Sequence, residues 1–248
     1  MSNDNLYSIF NENQDRLIHK WTNYFPVYER YFHKYRNKPV IILEIGVFHG
    51  GSLQMWKKYF GKDVIIYGID INPRCKTLEE NNITIFIGSQ SDRDFLRHVK
   101  TQIPKVDILL DDGGHTMKQQ IVTFEELFDH VKEDGVYLCE DCHTSYWLEF
   151  GGGYLRRGTY IEYAKKLIDK LTAWHFNKLP VDSFTRSVRS ICFYDSMVVI
   201  EKEQMKKPES IKRGKSSFDS DDDTIAMSPS ILFINKILSF FKLPSLGV

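Results

Sequence analysis

Residues 40–71 read VIILEIGVFHGGSLQMWKKYFGKDVIIYGIDI. The stretch begins and ends with the apolar runs Val40–Val47 and Val64–Ile71, which are rich in Ile, Val and Leu and do not alternate cleanly with polar residues. Runs of this kind are typical of strands that are buried on both faces of a parallel sheet. Between them, Ser52–Tyr59 is a helical segment with Ser52 as its expected N-cap. The stretch therefore predicts a β-α-β unit with a right-handed crossover.

The same alternation continues along the chain. Apolar runs at Ile83–Gly88, Val106–Leu110 and Gly135–Cys139 predict three further strands. Asp92–Lys100 and Lys118–Val131 predict helices between them. Strands and helices in alternation predict an α/β protein with a doubly wound parallel sheet.

Two long strands then follow almost without a gap. They are Phe184–Tyr194 and Met197–Lys202, with Asp195-Ser196 as the turn between them. Strands joined by so short a turn pair antiparallel. The expected fold class is therefore α/β, with a seven-stranded, mostly parallel sheet that ends in a C-terminal antiparallel hairpin.

Aromatic residues recur at helical spacing before the first strand. The i, i+3, i+4 rhythm predicts one face of a helix, made of Trp21, Tyr24, Tyr28, Tyr31 and Phe32. We expect residues 1–38 to form a helical cap on the sheet domain of residues 39–202. The cap either packs on the sheet or acts as a lid over a ligand.

The composition changes after Lys202. Residues 203–224 are polar and low in aromatics, which predicts a flexible linker. Residues 225–248 contain an apolar stretch at 231–243, expected to form an amphipathic tail helix. A stretch this short cannot span a bilayer but can lie in a membrane surface. The alternative is that the tail docks on its own domain or on a sister subunit.

The bulk composition limits the classes of function. Lysine plus arginine and aspartate plus glutamate both number 33, so the net charge is zero and no nucleic-acid partner is expected. The N-terminus is polar and carries no signal-peptide pattern. With four cysteines, this favours a cytoplasmic protein with reduced thiols. A peripheral contact with the inner face of the membrane, through the tail, is a further expectation.

Two of the predicted strands end in paired acids. The runs DILLDDGGH at 107–115 and YLCED at 137–141 put Asp111, Asp112, Glu140 and Asp141 at the carboxyl ends of their strands, where open α/β sheets bind ligands. Converging carboxylates repel one another unless a hard cation neutralises them, and oxygen ligands favour Mg²⁺ or Ca²⁺ over zinc. His115 follows closely and is a candidate general base. The pattern predicts a metal-assisted active site.

A glycine-rich turn joins the first strand to the first helix. Gly46 lets the backbone turn tightly beneath a ligand, but Phe48 interrupts the G-x-G-x-x-G fingerprint, which argues against NAD. Asp70 ends the next strand, where an acid accepts hydrogen bonds from ribose hydroxyls, and the polar loop 88–92 ends the third. Together these strand ends indicate an adenosine cofactor without a pyrophosphate, which fits S-adenosylmethionine.

Several short motifs carry a family resemblance. They are LEIGV at 43–47, GGS at 50–52, GID at 68–70, QSD at 90–92, DDGGH at 111–115, EDCHTSY at 140–146 and FYDS at 193–196. Over about residues 20–202 the chain resembles the metal-dependent sugar O-methyltransferases of macrolide tailoring. The resemblance implies a Rossmann-like class I methyltransferase fold and S-adenosylmethionine as the methyl donor. It also implies a sugar-containing small molecule or glycan as the acceptor.

The resemblance also implies roles for particular residues. Asp112, Glu140 and Asp141 would hold Mg²⁺ (or Mn²⁺), and His115 would remove the proton of a sugar hydroxyl. The expected cofactor-binding residues are Glu44, Gly46, Ser52, Asp70, Ser89, Gln90 and Asp111. The expected substrate residues lie after the second acid pair and in the glycine-rich loop 151–158, and are His143, Tyr146, Tyr154, Arg156 and Arg157. We also expect a homo-oligomer.

Two alternative functions fit the same residues. A metal-dependent methyltransferase of catechol-like small molecules would present the same pair of adjacent oxygens to the metal. A non-catalytic, S-adenosylmethionine-binding assembly factor attached to a membrane is the second alternative, although a scaffold has no need of converging acids. The tail adds the hypothesis that the substrate is a lipid-linked or surface glycan handled at the inner face of the membrane.

Overall fold

The structure, a computed structural model, describes residues 5–217 and 228–241. It divides into two compact units, Met1–Lys207 and Pro208–Val248. Within the described part of the first unit, seven strands form one sheet. The strands are β1 (Val40–Ile45), β2 (Val64–Asp70), β3 (Ile83–Ile87), β4 (Val106–Asp111), β5 (Val131–Cys139), β6 (Val188–Tyr194) and β7 (Met197–Lys202).

The strand order across the sheet is β3-β2-β1-β4-β5-β7-β6. Strands β1 to β5 pair in parallel, and β7 pairs antiparallel with both β5 and β6. This arrangement confirms the predicted fold class. The chain order reverses between β1 and β4, and ligands of open α/β sheets bind beside such a reversal.

Helices cover both faces of the sheet. They are α1 (Leu6–Asn11), α2 (Phe25–Phe32), α3 (Gly51–Phe60), α4 (Arg93–Gln102), α5 (Met117–Leu127), α6 (Tyr160–Leu171) and α7 (Ser183–Ser187). Short 3-10 turns lie at Thr22–Tyr24, His33–Tyr35, Pro73–Leu78, Phe128–His130, Cys142–Tyr146, Leu148–Phe150 and Ala173–His175.

The central strand β4 shows why the strand sequences do not alternate. Every residue of Val106–Asp111 is buried. Ile108 belongs to the core layer that includes Tyr28 of α2 and Trp56 of α3, whereas Leu109 belongs to the opposite layer, with residues of α4, α5 and α6. Because successive side chains point to opposite faces, both kinds of position must be apolar.

Several predicted boundaries were wrong. Helix α3 begins at Gly51, and its N-cap is Gly50 rather than Ser52. The predicted helix Lys118–Val131 ends at Leu127, and β5 begins at Val131 rather than Gly135. Val131 pairs with Val106 across a register shift that accommodates the polar residues 132–134. The predicted strand Phe184–Tyr194 begins at Val188, because the Asp182 side chain accepts a hydrogen bond from Thr185 N and caps the short helix α7.

The N-terminal aromatic face is only partly helical. Tyr28, Tyr31 and Phe32 lie on α2 and are buried in the core, and Tyr24 ends the preceding 3-10 turn. Trp21 lies before both elements and is 51% exposed. The first two aromatics of the pattern therefore do not share a helix with the last three, because α2 begins only at Phe25.

The second unit contains a helix, α8 (Pro229–Phe240), which the Ser228 side chain caps. Residues 203–217 form neither helix nor strand. The rest of the predicted linker and of the tail, residues 218–227 and 242–248, falls outside the described residues. Within the described ranges, no helix combines the length and apolarity that crossing a membrane requires.

Candidate active site

A cavity of about 590 Å³ lies at the carboxyl ends of the parallel strands, and we call it the main cavity. Its lining comes from the N-terminal segment, the loops that follow the strands and the end of β5. The lining residues are 17–21, 24, 45–49, 52, 69–72, 74, 75, 77, 78, 88–90, 112–115, 119, 140 and 141. Of the sequence-predicted cofactor residues, Gly46, Ser52, Asp70, Ser89 and Gln90 are among them.

The turn after β1 forms the floor of the main cavity. Gly46 has a φ of +93°, and a Cβ added there would lie 2.0 Å from the carbonyl oxygen of Asp112. Asp70 Oδ2 accepts hydrogen bonds from Val47 N (2.9 Å) and Phe48 N (3.0 Å). The carboxylate that was predicted to bind ribose therefore also fixes the backbone of the turn.

Gln90 connects the loops after β3 and β4. Its Nε2 donates to Asp111 Oδ1 (2.9 Å) and Thr123 Oγ1 (3.0 Å), and its Oε1 accepts from Gly114 N (2.7 Å). Asp111 is 1% exposed and lies behind the cavity lining, where burial raises the pKa of its carboxyl to about 7. Gln90 thus stands between Asp111 and the main cavity.

Glu44 also lies behind the lining. It is fully buried on β1, where its Oε2 accepts a hydrogen bond from Trp56 Nε1 (3.0 Å). Burial raises the pKa of the Glu44 carboxyl to about 7, against the opposing effect of the Lys20 ammonium. Neither Glu44 nor Asp111 is among the residues that line the main cavity.

Three of the four paired acids lie together in the lining of the main cavity. Backbone hydrogen bonds that extend the sheet place them there, with Asp112 N donating to Ile45 O and Glu140 N to Asp111 O. We call Asp112, Glu140 and Asp141 the carboxylate cluster. Of the four acids predicted to come together at this sheet edge, the structure brings these three into the cavity lining and buries Asp111 behind it.

Asp112, His115 and Asp141 each direct one ligand atom to the same point. These three atoms all lie within 4.8 Å of one another. Among the described residues, they form the group of acidic and histidine side chains that could hold a metal ion. His115 Nε2 is 3.3 Å from Asp141 Oδ2 and 3.9 Å from Asp112 Oδ1. His115 and Asp141 have φ values of 57° and 51°, so strained backbone conformations present both side chains.

Glu140 faces away from that point, toward the N-terminal segment. Its Oε1 accepts a hydrogen bond from Tyr28 Oη, and its Oε2 lies 2.9 Å from Lys20 Nζ. Lys20 Nζ also lies 2.5 Å from Asp112 Oδ2 and 4.0 Å from Glu44 Oε1. Burial raises the pKa of Glu140, as does Asp112, while Lys20 and Tyr28 favour its ionised form.

Sequence reasoning missed Lys20. Its side chain is only 2% exposed, and burial opposes its charge, but Asp112, Glu140 and Glu44 together raise the pKa of the ammonium above its usual value. A single lysine in a segment without regular periodicity gives no signal in the sequence. Tyr24 was expected only to pack or to cover a ligand, but its hydroxyl also donates to Asp141 Oδ1.

The predicted substrate residues fall into two groups. His143 and Tyr146 line a second cavity of about 560 Å³, next to Phe193 and Ser196 of the hairpin region. The others, Tyr154, Arg156 and Arg157, line neither cavity. Tyr154 is 81% exposed, and Arg156 Nη1 donates to Gly152 O (3.2 Å) within its own loop.

Comparisons with known proteins agree with this geometry. Residues 43–142 match the family described as a methyltransferase domain. The chain is 35% identical over 205 residues to the demethylmacrocin O-methyltransferase of Streptomyces fradiae, covering 75% of this chain and 51% of that protein. It is 33% identical over 196 residues to the 8-demethyl-8-alpha-L-rhamnosyl tetracenomycin-C 2'-O-methyltransferase of Streptomyces olivaceus, covering 74% and 51%. It therefore spans about half the length of these relatives.

A solved structure has the same fold. It is the MycE methyltransferase from the mycinamycin biosynthetic pathway in complex with Mg, SAH and mycinamycin VI, with a TM-score of 0.74 and 31% identity, covering 81% of this chain and 54% of that one. The match to the methyltransferase domain includes the turn at Gly46, both acid pairs and His115. The chain belongs to the methyltransferase family that includes the macrocin and mycinamicin sugar O-methyltransferases.

Proposed function

We propose that this protein is a metal-dependent O-methyltransferase that transfers a methyl group from S-adenosylmethionine to a hydroxyl of a sugar. The observation that carries the proposal is the main cavity itself. The turn at Gly46, Asp70 and Gln90 lines one part of it, and the carboxylate cluster with His115 lines another. One continuous cavity can therefore hold a methyl donor and an activated hydroxyl next to each other, which is what direct methyl transfer requires.

The methyl donor is proposed to bind with its adenosine against the turn and the loop after β3. Asp70 accepts hydrogen bonds from ribose hydroxyls while it also holds the backbone of residues 47 and 48. Ser89 offers its hydroxyl to the adenine edge, and Gln90 offers its amide oxygen, because both Nε2 hydrogens of Gln90 are already donated to Asp111 and Thr123. The MycE structure supports this proposal, because it is a complex with SAH.

The divalent cation is proposed to be Mg²⁺ or Mn²⁺. The donor set fits such an ion, because Asp112 and Asp141 each offer a carboxylate oxygen, and these oxygens and a ring nitrogen of His115 all lie within 4.8 Å of one another. Asp112, Glu140 and Asp141 are the proposed ligands, and His115 is left free to act as a base. In this structure Glu140 faces Lys20 and Tyr28, so its ligation requires its side chain to turn toward the cation. When bound, the cation lowers the pKa of a coordinated hydroxyl and orients it.

His115 is proposed as the general base. The acceptor hydroxyl gives its proton to His115 Nε2, its oxygen forms a bond to the methyl carbon, and the carbon–sulfur bond breaks with its electron pair left on sulfur. The Asp141 carboxylate, 3.3 Å from His115 Nε2, stabilises the imidazolium that results. The products are the methyl ether and S-adenosylhomocysteine.

The acceptor is proposed to be a sugar on a small molecule or glycan. The relatives support this, since one of them is the 2'-O-methyltransferase of 8-demethyl-8-alpha-L-rhamnosyl tetracenomycin-C. Next to the main cavity, the His143 ring lies 4.5 Å from the Trp147 ring and 5.9 Å from that of Trp21. Both tryptophans are partly exposed, at 44% and 51%, and rings of this kind offer apolar faces to a sugar. Tyr146, Tyr154, Arg156 and Arg157 remain proposed substrate contacts.

The proposal also covers partners and location. A homo-oligomer and a location in the cytoplasm are both proposed. Helix α8 is proposed to make a peripheral membrane contact, because Leu232, Phe233, Ile237 and Phe240 are all exposed on it. Such a contact would suit a lipid-linked saccharide as the acceptor.

The test combines cofactor binding with turnover. S-Adenosylmethionine is titrated calorimetrically into the wild-type protein and into Asp70→Ala, each with and without Mg²⁺. We expect binding by the wild type, and a loss of at least about tenfold in affinity for Asp70→Ala, since two backbone N–H groups and the ribose lose their acceptor. Methyl transfer is then assayed with sugar and catechol acceptors, and His115→Gln is expected to lower kcat by about 10²- to 10⁴-fold.

A matched control is His175→Gln, a histidine outside the main cavity, which should retain full activity. No binding of S-adenosylmethionine under any condition would overturn the methyltransferase proposal. If the protein methylates catechols but not sugars, the proposed acceptor class is wrong, while the proposed metal-dependent methyl transfer stands. Full activity of His115→Gln would remove His115 as the base.

A further inference from the structure

Lys20 has an unusual position for a lysine. It lies in the N-terminal segment, 92 residues before Asp112 and 120 before Glu140, yet its Nζ is within hydrogen-bond distance of both. Lysine is almost never this deeply buried unless it is paired. The contacts place one positive charge inside the group of acids that is proposed to bind a divalent cation.

The hydrogen bonds of Lys20 divide the ligand oxygens into two sets. Lys20 contacts Asp112 Oδ2 and Glu140 Oε2, whereas Asp112 Oδ1 is the oxygen that lies 3.9 Å from His115 Nε2. The second oxygen of Glu140 is held by Tyr28 Oη. Asp112 is therefore oriented by Lys20 on one side, so that its other oxygen points to the proposed metal position.

Besides making hydrogen bonds, Lys20 places a positive charge where it affects the binding of a cation. Glu44, Asp112 and Glu140 all lie within 4.0 Å of its Nζ, and Glu44 and Glu140 are 1% exposed or less. In a buried site with a low effective dielectric constant, a fixed positive charge repels an incoming cation strongly. It also offsets part of the mutual repulsion of the acids, which favours the folded site.

We propose that Lys20 is a positioning residue of the metal site, which orients Asp112 and Glu140 and, by its charge, limits how tightly the site binds a divalent cation. The inference rests on the proposed function, since it assumes that the carboxylate cluster binds a metal. A moderate affinity keeps the metal exchangeable. It also leaves the metal able to coordinate an acceptor oxygen, because Lys20 already balances part of the negative charge of the acids.

The test measures Mn²⁺ binding, from the electron paramagnetic resonance signal of free Mn²⁺, in the full-length protein. Lys20→Gln is expected to bind Mn²⁺ more tightly, on the order of tenfold, because the nearest positive charge is gone. Lys20→Arg keeps the charge and is expected to stay close to the wild-type affinity. Tyr28→Phe is the matched control, because it removes the other hydrogen bond to Glu140 without changing any charge, and should leave the affinity within about threefold.

A paired substitution covers the case in which Lys20→Gln does not fold. Lys20→Gln combined with Glu44→Gln removes one charge of each sign, so it leaves no additional buried charge uncompensated. Its Mn²⁺ affinity is expected to return close to that of the wild type, while Glu44→Gln alone is expected to weaken binding by a few fold.

The outcomes separate this inference from the proposed function. If the wild type does not bind Mn²⁺, the metal site itself is wrong and the inference fails with it. If the wild type binds Mn²⁺ but Lys20→Gln binds it equally or more weakly, the metal site stands and the role of Lys20 is overturned. In the paired design, an affinity of the double variant no higher than that of Glu44→Gln alone overturns it as well.

Discussion

At the scale of single residues, the fold makes two demands on Gly46. The residue needs a positive φ, and its Cα must pass close to the backbone of Asp112, the residue that follows the neighbouring strand β4. The first demand is a matter of backbone freedom, which glycine supplies at no steric cost. The second is a matter of space, and it holds only because Asp112 N is hydrogen-bonded to Ile45 O, immediately before the turn.

A comparison of two glycines separates these demands. Gly46→Ala is expected to lower the free energy of unfolding by at least about 3 kcal/mol, because its Cβ would lie 2.0 Å from a backbone oxygen that cannot move freely. Gly158→Ala has nearly the same backbone requirement, with a φ of +88°, but no atom within 4 Å of the added Cβ, and should cost about 1 kcal/mol. Urea unfolding of both variants is the measurement, and equal losses would contradict the clash.

At the scale of elements, the candidate site is built where loops from different strands are tied together. Gln90, from the loop after β3, bonds to Asp111 at the end of β4, to Gly114 in the loop after β4 and to Thr123 on α5. β3 and β4 are not adjacent in the sheet, since β2 and β1 lie between them. A side chain therefore provides the connection that the backbone hydrogen bonds of the sheet do not.

Removal of that connection should affect stability and binding together. Gln90→Ala leaves the buried carboxylate of Asp111 without its side-chain donor, so we expect a loss of about 2 kcal/mol in the free energy of unfolding. The affinity for S-adenosylmethionine should also fall, because the loop that lines the main cavity loses its anchor. Gln102→Ala, at an exposed position of α4, is the control. Unchanged unfolding and unchanged binding in Gln90→Ala would show that the anchor is unimportant.

At the scale of the whole molecule, all residues that line the two cavities lie in the unit Met1–Lys207. The sheet and both core layers belong to the same unit. The second unit contributes α8, whose apolar side chains Phe233 and Phe240 are 65% and 83% exposed. The proposed cofactor binding and the proposed membrane contact thus fall in different parts of the chain.

A truncation tests this division. Residues 1–207 alone are expected to melt within about 3 °C of the full chain and to bind S-adenosylmethionine equally well, because no cavity residue is removed. Co-sedimentation with vesicles of anionic phospholipid should be lost in the truncated protein. The full chain with Phe233→Ser and Phe240→Ser is the matched control, since it keeps the length but removes two exposed aromatics. Equal sedimentation of all three proteins would remove the proposed membrane contact.

The sequence alone was sufficient to predict the class of fold. It also predicted which strands end in residues with polar or acidic side chains. Strands buried on both faces must be apolar throughout, so runs such as Val106–Leu110 stand out without any knowledge of contacts. Chemical groups placed at strand ends then fall at one edge of a parallel sheet, which is why Asp70, the acid pairs and His115 were found from spacing. Helix and strand boundaries near Phe128 and Ser183 were missed, because caps and register shifts depend on single hydrogen bonds.

Only the tertiary structure decided which partner each acid has. The sequence treats Asp111 and Asp112 as equals, and likewise Glu140 and Asp141, but the alternation of the strand buries Asp111 against Gln90 and exposes Asp112 to the main cavity. Glu140 turns inward because Lys20, from a segment 120 residues earlier, supplies a charge there. Local patterns record spacing along the chain, whereas the ionisation and orientation of a buried group depend on charges brought near it by folding.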